Sequence, residues 1–212
     1  MIQLDHLSVV APSLVEGVAH VRGCLGLDVP FGQRHLTMGT HNHLIQLGGS
    51  VYLEIIALDP SGAQPPHRRW FGLDDGAQVR ADWDAGRRLK GWVARTDAID
   101  AVLAGRESTF GRKVALPHDT PAFDFAIPHD GSLPLGGAAP SIIDRRGQPR
   151  SMATIADLGA RLVSFTLEYP DSARIDALHR ELGAIGAPVV RAGARSRYIA
   201  RIETAGGIRE LT

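Results

Sequence analysis

His6 in the segment LDHLSVV and Glu54 in VYLEIIAL are the residues of this chain whose types and surroundings most suggest chemistry. Each interrupts an apolar, strand-like run. A carboxylate in such a setting is costly unless it is paired, hydrogen-bonded or bound to a cation. Across a sheet from one another, His6 and Glu54 would offer one imidazole and one carboxylate to a divalent ion, with Glu210 or Asp144 completing the set. Two other arrangements satisfy the same residues: His6 hydrogen-bonds Glu54 inside a metal-free pocket, or Glu54 pairs with an arginine.

Alternation along THNH places His41 and His43 on one face of a strand and Asn42 on the other. His43 is a candidate proton carrier, because an imidazole titrates near neutral pH. His6, His43 and Glu54 also make a two-histidine, one-carboxylate set that suits iron or manganese, provided their strands share a face. Asn42 and Trp92 are candidate substrate contacts, Trp92 having a place in the core as its alternative. Trp70 and Phe71 follow a proline-rich stretch and are read as sealing the core rather than as a lid. Arg145, Arg146 and Arg150 read as solvated charge, with an acidic substrate group as the alternative partner. Pro-His-Asp occurs at 117–119 and 128–130; the second runs into Gly131 as a turn, and no helix brackets either, so neither is read as a metal site. Cys24 falls on the apolar stripe of a helix and is read as an inert thiol.

These side chains need elements to position them, and the elements recur. Three segments share a plan of alternating strand, capping residue and amphipathic helix: IQLDHLSVVAPS into LVEGVAHVRGCLG, LKGWVARTD into AIDAVLAG, and LVSFTLEYPD into SARIDALHRELG. Ser13, Asp97 and Asp171 are the expected caps, Ser13 with Glu16 forming a capping box. Strand-like text follows each helix, so each unit reads β-α-β-β-β and the fold is α+β. The units span about 1–58, 87–145 and 161–212, joined by connectors 59–86 and 146–160, within a single domain of residues 1–212. Aligned on their caps, the first strands place His6, Lys90 and Ser164 in register, and the last strands Glu54, Asp144 and Glu210. Alternation points His6 the same way as Leu4 and Ser8.

Composition narrows the function classes. The 23 basic residues cancel the 23 acidic ones, which gives no electrostatic reason to expect nucleic acid or an anionic membrane. A single cysteine excludes intramolecular disulfides and cysteine zinc ribbons. The start MIQLDHLSVV lacks a basic segment and no apolar run is long enough to span a bilayer, so a cytoplasmic protein is expected. Serine-hydrolase, nucleotide-triphosphate and dinucleotide motifs are missing from the sequence.

LDHL on the first strand and YLEII on the fourth resemble the vicinal oxygen chelate superfamily, which includes glyoxalase I and extradiol dioxygenases. In order, GTHNHLIQLGG-VYLEIIALDP, RWFGLD, LKGWVARTD, DGSLPLGG and PSIID are similar to the glyoxalase-like domain. The resemblance implies curved mixed sheets around a cleft, with metal ligands from first and last strands. It implies His6 and Glu54 as ligands of one module and Glu210, in GGIREL, as a closing-strand ligand. Lys90 and Ser164 depart from that pattern, since neither is a good ligand, and put a four-ligand site in doubt. The implied function is a metal-dependent lyase, isomerase or dioxygenase acting on a small carbonyl or vicinal-oxygen compound. Zinc, iron, manganese or nickel would be the metal and His43 the proton carrier. A metal-free protein that binds or sequesters a small molecule is the alternative. A small-molecule substrate is the expected partner, with homodimerisation left open.

Overall fold

The computed structural model describes residues 1–116, 122–148 and 150–212; the first Pro-His-Asp lies outside them. The first module runs β1 (Ile2–Val10), α1 (Leu14–Leu25), β2 (Phe31–His35), β3 (Thr40–Gln46) and β4 (Tyr52–Leu58). A connector helix, α2 (Gly76–Asp84), leads to β5 (Leu89–Thr96), α3 (Ile99–Leu103), α4 (Glu107–Phe110), β6 (Arg112–Leu116), β7 (Phe123–Ile127) and β8 (Ser141–Asp144). The chain closes with β9 (Arg161–Tyr169), α5 (Ser172–Glu181), β10 (Ala184–Ile185), β11 (Val189–Ala192), β12 (Arg197–Thr204) and β13 (Gly207–Leu211). Among the described residues no helix is long and apolar enough to cross a membrane.

The architecture is α+β, and its main sheet is built from two copies of one plan. Its strand order is β2-β3-β4-β1-β5-β8-β7-β6, with β10 added beside β1. In each half the last strand returns to lie parallel to the first, β4 on β1 and β8 on β5. The halves meet where β1 and β5 run antiparallel. The third unit departs from the plan. In its sheet, β11-β9-β12-β13, the closing strand pairs only with β12 and never reaches β9. Side chains of β9 and β13 are therefore not brought side by side as those of β1 and β4 are.

Local chemistry explains the helix starts. Ser13 Oγ accepts from the Glu16 amide at 3.3 Å and donates to the Glu16 carboxylate at 2.8 Å. Asp171 accepts from the Arg174 amide at 3.2 Å. Asp97 does not cap α3: the turn runs one residue longer, and Asp144 Oδ2 from β8 accepts from the Ile99 amide instead.

The main sheet is apolar on both faces. Leu7, Val9, Leu53, Ile55 and Trp92 face α1 and the third unit, where Phe165, Leu167 and Tyr198 pack against them in one continuous core. Val10, Ile56, Val93 and Ile143 face the other way, under Trp70, Phe71 and the β7 phenylalanines. Along β1, alternation fails once, at Asp5. The β1·β5 register passes from Leu4↔Ala94 to His6↔Val93, so Asp5 is an extra residue in the strand. Leu4 consequently joins the helix-side core, while His6 turns to the opposite face. This corrects the reading that Leu4 and His6 point the same way, because a bulge shifts the alternation by one residue.

Gly17 lets α1 close onto this sheet. A Cβ there would lie 2.5 Å from Ile55 Cγ2 and 2.9 Å from Ala11 Cβ. Helix propensity alone favours alanine by about 1 kcal/mol, but overpacking costs about 1–3 kcal/mol. Gly17→Ala is expected to destabilise the protein, contrary to propensity, in urea denaturation; an increase in unfolding free energy would show that the contact is loose.

Candidate functional site

The bulge at Asp5 and the parallel pairing of β1 with β4 create one buried polar cluster on an otherwise apolar sheet face. Register places Tyr52 beside His6 and Glu54 beside Ser8. His6 is 4% exposed and Glu54 6%, and the His6 Nε2–Glu54 Oε2 distance is 3.3 Å. His6 Nδ1 donates to Asp5 Oδ1 at 2.7 Å. The ring is thereby fixed between two carboxylates, and Tyr52 stacks on it with centroids 4.5 Å apart.

Both acids have further donors. Arg145 grips Asp5 with two nitrogens, at 2.6 and 3.2 Å, and donates to the Tyr52 hydroxyl at 3.1 Å. Asn42 Nδ2 donates to Glu54 Oε1 at 2.7 Å, while its own carbonyl oxygen accepts from the Gln33 amide at 2.9 Å. That backbone contact fixes which way the Asn42 amide faces. Charged hydrogen bonds of this kind are what make buried ionised groups tolerable.

Protonation follows from the geometry. Burial opposes a charged His6, but its hydrogen bonds to Asp5 and Glu54 outweigh burial and raise its pKa above the ordinary 6.5. Burial likewise opposes ionisation of Glu54, and the His6 contact outweighs it, holding the carboxyl below the ordinary 4.5. For Asp5, burial is overcome by His6 and Arg145, and the carboxyl sits far below the usual range. Burial pushes the Tyr52 phenol well up, so it stays neutral. An acid–base pair whose members are driven apart in pKa has its roles assigned: imidazolium donor, carboxylate acceptor.

Around the cluster lies a narrow pocket of about 30 Å³, walled by Leu44, Trp70, Phe71, Phe123, Phe125 and Ile143. Trp70 stacks near Phe123 at 6.2 Å and meets Phe125 edge-on at 5.2 Å. Phe71 takes a left-handed backbone, φ 59°, which a bulky side chain adopts only when packing holds it there. Thus Trp70 and Phe71 are both core and pocket wall. His35, also in the wall, is buried and pushed down to about 4, which keeps it neutral.

The remaining expected residues lie elsewhere. His43 is on the opposite face of β3, where Nδ1 donates to the Val29 carbonyl at 2.7 Å, so the structure does not bring it to Glu54. Trp92 is fully buried on the helix side, edge-on to His179, and touches no part of the pocket. Glu210 is exposed on β13, 3.8 Å from Arg201, in the other sheet. Asp144 is engaged at the start of α3, Ser164 is exposed, and Lys90 pairs with Asp82 of the connector helix. Arg145 is not solvated: it is 5% exposed, and only Arg146 of that cluster reaches solvent with an acidic partner, Asp124. Asp5 and Tyr52 are pocket residues that the sequence reading did not single out for the site, and Arg145 and Arg150 line the pocket where the sequence favours solvated charge over contact with an acidic substrate group. The carboxylate beside the histidine in LDHL was the available signal for Asp5.

The donors do not fit a metal centre. Asp5 holds one ring nitrogen of His6, so only Nε2 and Glu54 face a common point, two donors where a protein metal centre supplies three or more. The second half of the sheet contributes Val93, Ile143 and the guanidinium of Arg145 rather than further ligands. Among the described residues no three His, Cys, Asp or Glu side chains form a set that could hold a metal ion.

Stability should carry the mark of this cluster. The His6 contribution is present below its ordinary 6.5 and is lost as pH rises through its raised folded pKa. Those of Asp5 and Glu54 are present above their ordinary 3.8 and 4.5, and are lost as pH falls through their lowered folded values. Denaturant unfolding across pH is expected to show the stability difference between wild type and His6→Gln largest between these limits and shrinking on the alkaline side. A difference that grows with alkalinity would contradict the assignment. Arg145→Met, which strips the buried Asp5 of its guanidinium, is expected to cost about 3–5 kcal/mol in the same measurement.

A family model described as a glyoxalase-like domain matches residues 4–183. Among solved structures, a hypothetical protein from Staphylococcus aureus aligns over 100% of this chain and 99% of its own, at 12% identity and a TM-score of 0.57. Methylmalonyl-CoA epimerase from Mycobacterium tuberculosis aligns over 72% of this chain and 91% of its own, at 16% identity and a TM-score of 0.42. A search of curated proteins finds no match. The Staphylococcus likeness is one of fold. With the family model spanning both halves of the main sheet and the buried cluster between them, the chain belongs to the glyoxalase-like domain family.

Proposed function

We propose that the concave pocket binds a small organic carbonyl compound and that His6 and Glu54 act on it as an acid–base pair, without a metal in the step. The observation that carries this reading is the 3.3 Å approach of His6 Nε2 to Glu54 Oε2, with the other ring nitrogen held by Asp5. A carbonyl oxygen that takes the place of Glu54 at Nε2 receives that hydrogen bond. The ionised Glu54 then takes a proton from the adjacent carbon, and the electron pair of that C–H bond moves toward the oxygen. Returning the proton to carbon or to oxygen completes an isomerisation. Asp5 positions the ring and stabilises its charge, Arg145 holds Asp5 in place, and Asn42 orients Glu54. Apolar walls keep water from the developing enolate.

A panel of small ketones, aldehydes and 2-oxo acids incubated with the protein in D₂O tests the reading by NMR. Wild type is expected to accelerate exchange of protons next to the carbonyl of at least one compound. Glu54→Gln should lower that rate by roughly 100-fold or more. Prior treatment with a chelator should leave the rate unchanged. Exchange that is lost on chelation, or that survives in Glu54→Gln, would overturn the reading.

A further inference from the structure

The pocket holds more hydrogen-bond donors than its own residues can satisfy. Arg150, from the connector after β8, enters the pocket with its guanidinium 5.8 Å above the Tyr52 ring. Among the described residues its buried Nε has no partner, and the guanidinium makes only a long hydrogen bond of 3.5 Å to Gln33 Oε1. Among the described residues no carboxylate pairs with it, although Arg145 beside it is held by Asp5. Trp70, 3% exposed in the same wall, also has an indole N–H without a partner among the described residues. Both groups can only donate. A buried donor without an acceptor is unfavourable, so two in one pocket mark the place of an acceptor-bearing ligand. The local acids cannot fill the role, because Asp5 and Glu54 already serve His6, Arg145 and Asn42.

We propose that the pocket selects an organic carboxylate, held by the Arg150 guanidinium and the Trp70 indole N–H, with its apolar body against the phenylalanine wall. This rests on the small-molecule reading above and adds to it the charge of the ligand. A guanidinium matches a carboxylate's two oxygens in a planar fork. The free space, about 30 Å³, admits a small planar head, and the apolar walls offer little for the further oxygens of a phosphate. The ligand's carboxylate would satisfy the orphaned donors, and a neighbouring carbonyl would lie toward His6 and Glu54.

Isothermal titration of the full chain with benzoate, propionate, benzamide and inorganic phosphate tests this. Benzoate or propionate is expected to bind, with benzamide and phosphate roughly tenfold weaker or more. Arg150→Gln should weaken carboxylate binding by a similar factor. Trp70→Phe, which keeps a ring but removes the N–H, should weaken it several-fold. Benzamide binding as tightly as benzoate, a preference for phosphate, or unchanged benzoate affinity in Arg150→Gln would overturn carboxylate recognition. Those results leave the acid–base pair standing, since its readout includes proton exchange on the neutral ketones and aldehydes of the panel. Failure of all four probes to bind would overturn the proposal, and absent exchange in the same preparation would overturn the acid–base reading separately.

Discussion

Much of this molecule is organised by one imidazole held between two carboxylates inside an apolar sheet. His6 reaches Asp5 with one nitrogen and Glu54 with the other, and each acid is further held by Arg145 or Asn42. Removing a single member would leave an uncompensated buried charge, which is far more costly than never having buried the group. The cluster therefore constrains four strands at once: β1 supplies Asp5 and His6, β3 Asn42, and β4 Tyr52 and Glu54, while Arg145 follows β8 from the second module. Arg145 thus links the two halves of the main sheet chemically as well as through the β1·β5 ladder.

The backbone makes this arrangement accessible through two local features. Parallel pairing of β4 on β1 sets Tyr52 and Glu54 on the same face as His6. The extra residue at Asp5 turns His6 off the helix-side core onto that face and leaves the preceding carboxylate beside the ring. Without the bulge, simple alternation would aim the imidazole with Leu4 into an apolar layer. The aromatic connector then closes the site: Trp70 and a left-handed Phe71 cover the cluster from the side opposite the helices.

What the sequence could reveal depended on whether the deciding interaction was local. The caps at Ser13 and Asp171 and the strand-helix repeats were legible because they use neighbours in the chain. Glu54 and His6 stood out because charged groups in apolar runs are unfavourable, and the alternative of a direct hydrogen-bonded pair was already open. The cap of α3 was missed because it comes from Asp144, far along the chain. Arg145 and Arg150 looked like surface charge because nothing local distinguishes them from Arg146. Their burial is decided by strand order, which brings β8 to β5 and so to β1. Strand order also sets Glu210 and Trp92 away from the pocket: the third unit resembles the others in text, but its closing strand pairs differently, and Trp92 faces the helix-side layer. His43 lies one residue from Asn42, and that single step sends it through the sheet.

The account stands on the charge of His6, and ¹⁵N NMR of its imidazole across pH reads that charge directly. Both ring nitrogens should carry protons at pH 6, with the midpoint of deprotonation above the residue's ordinary 6.5. A ring already neutral at pH 6, with one bare nitrogen, would contradict it, since a neutral imidazole could not serve both acids as donor.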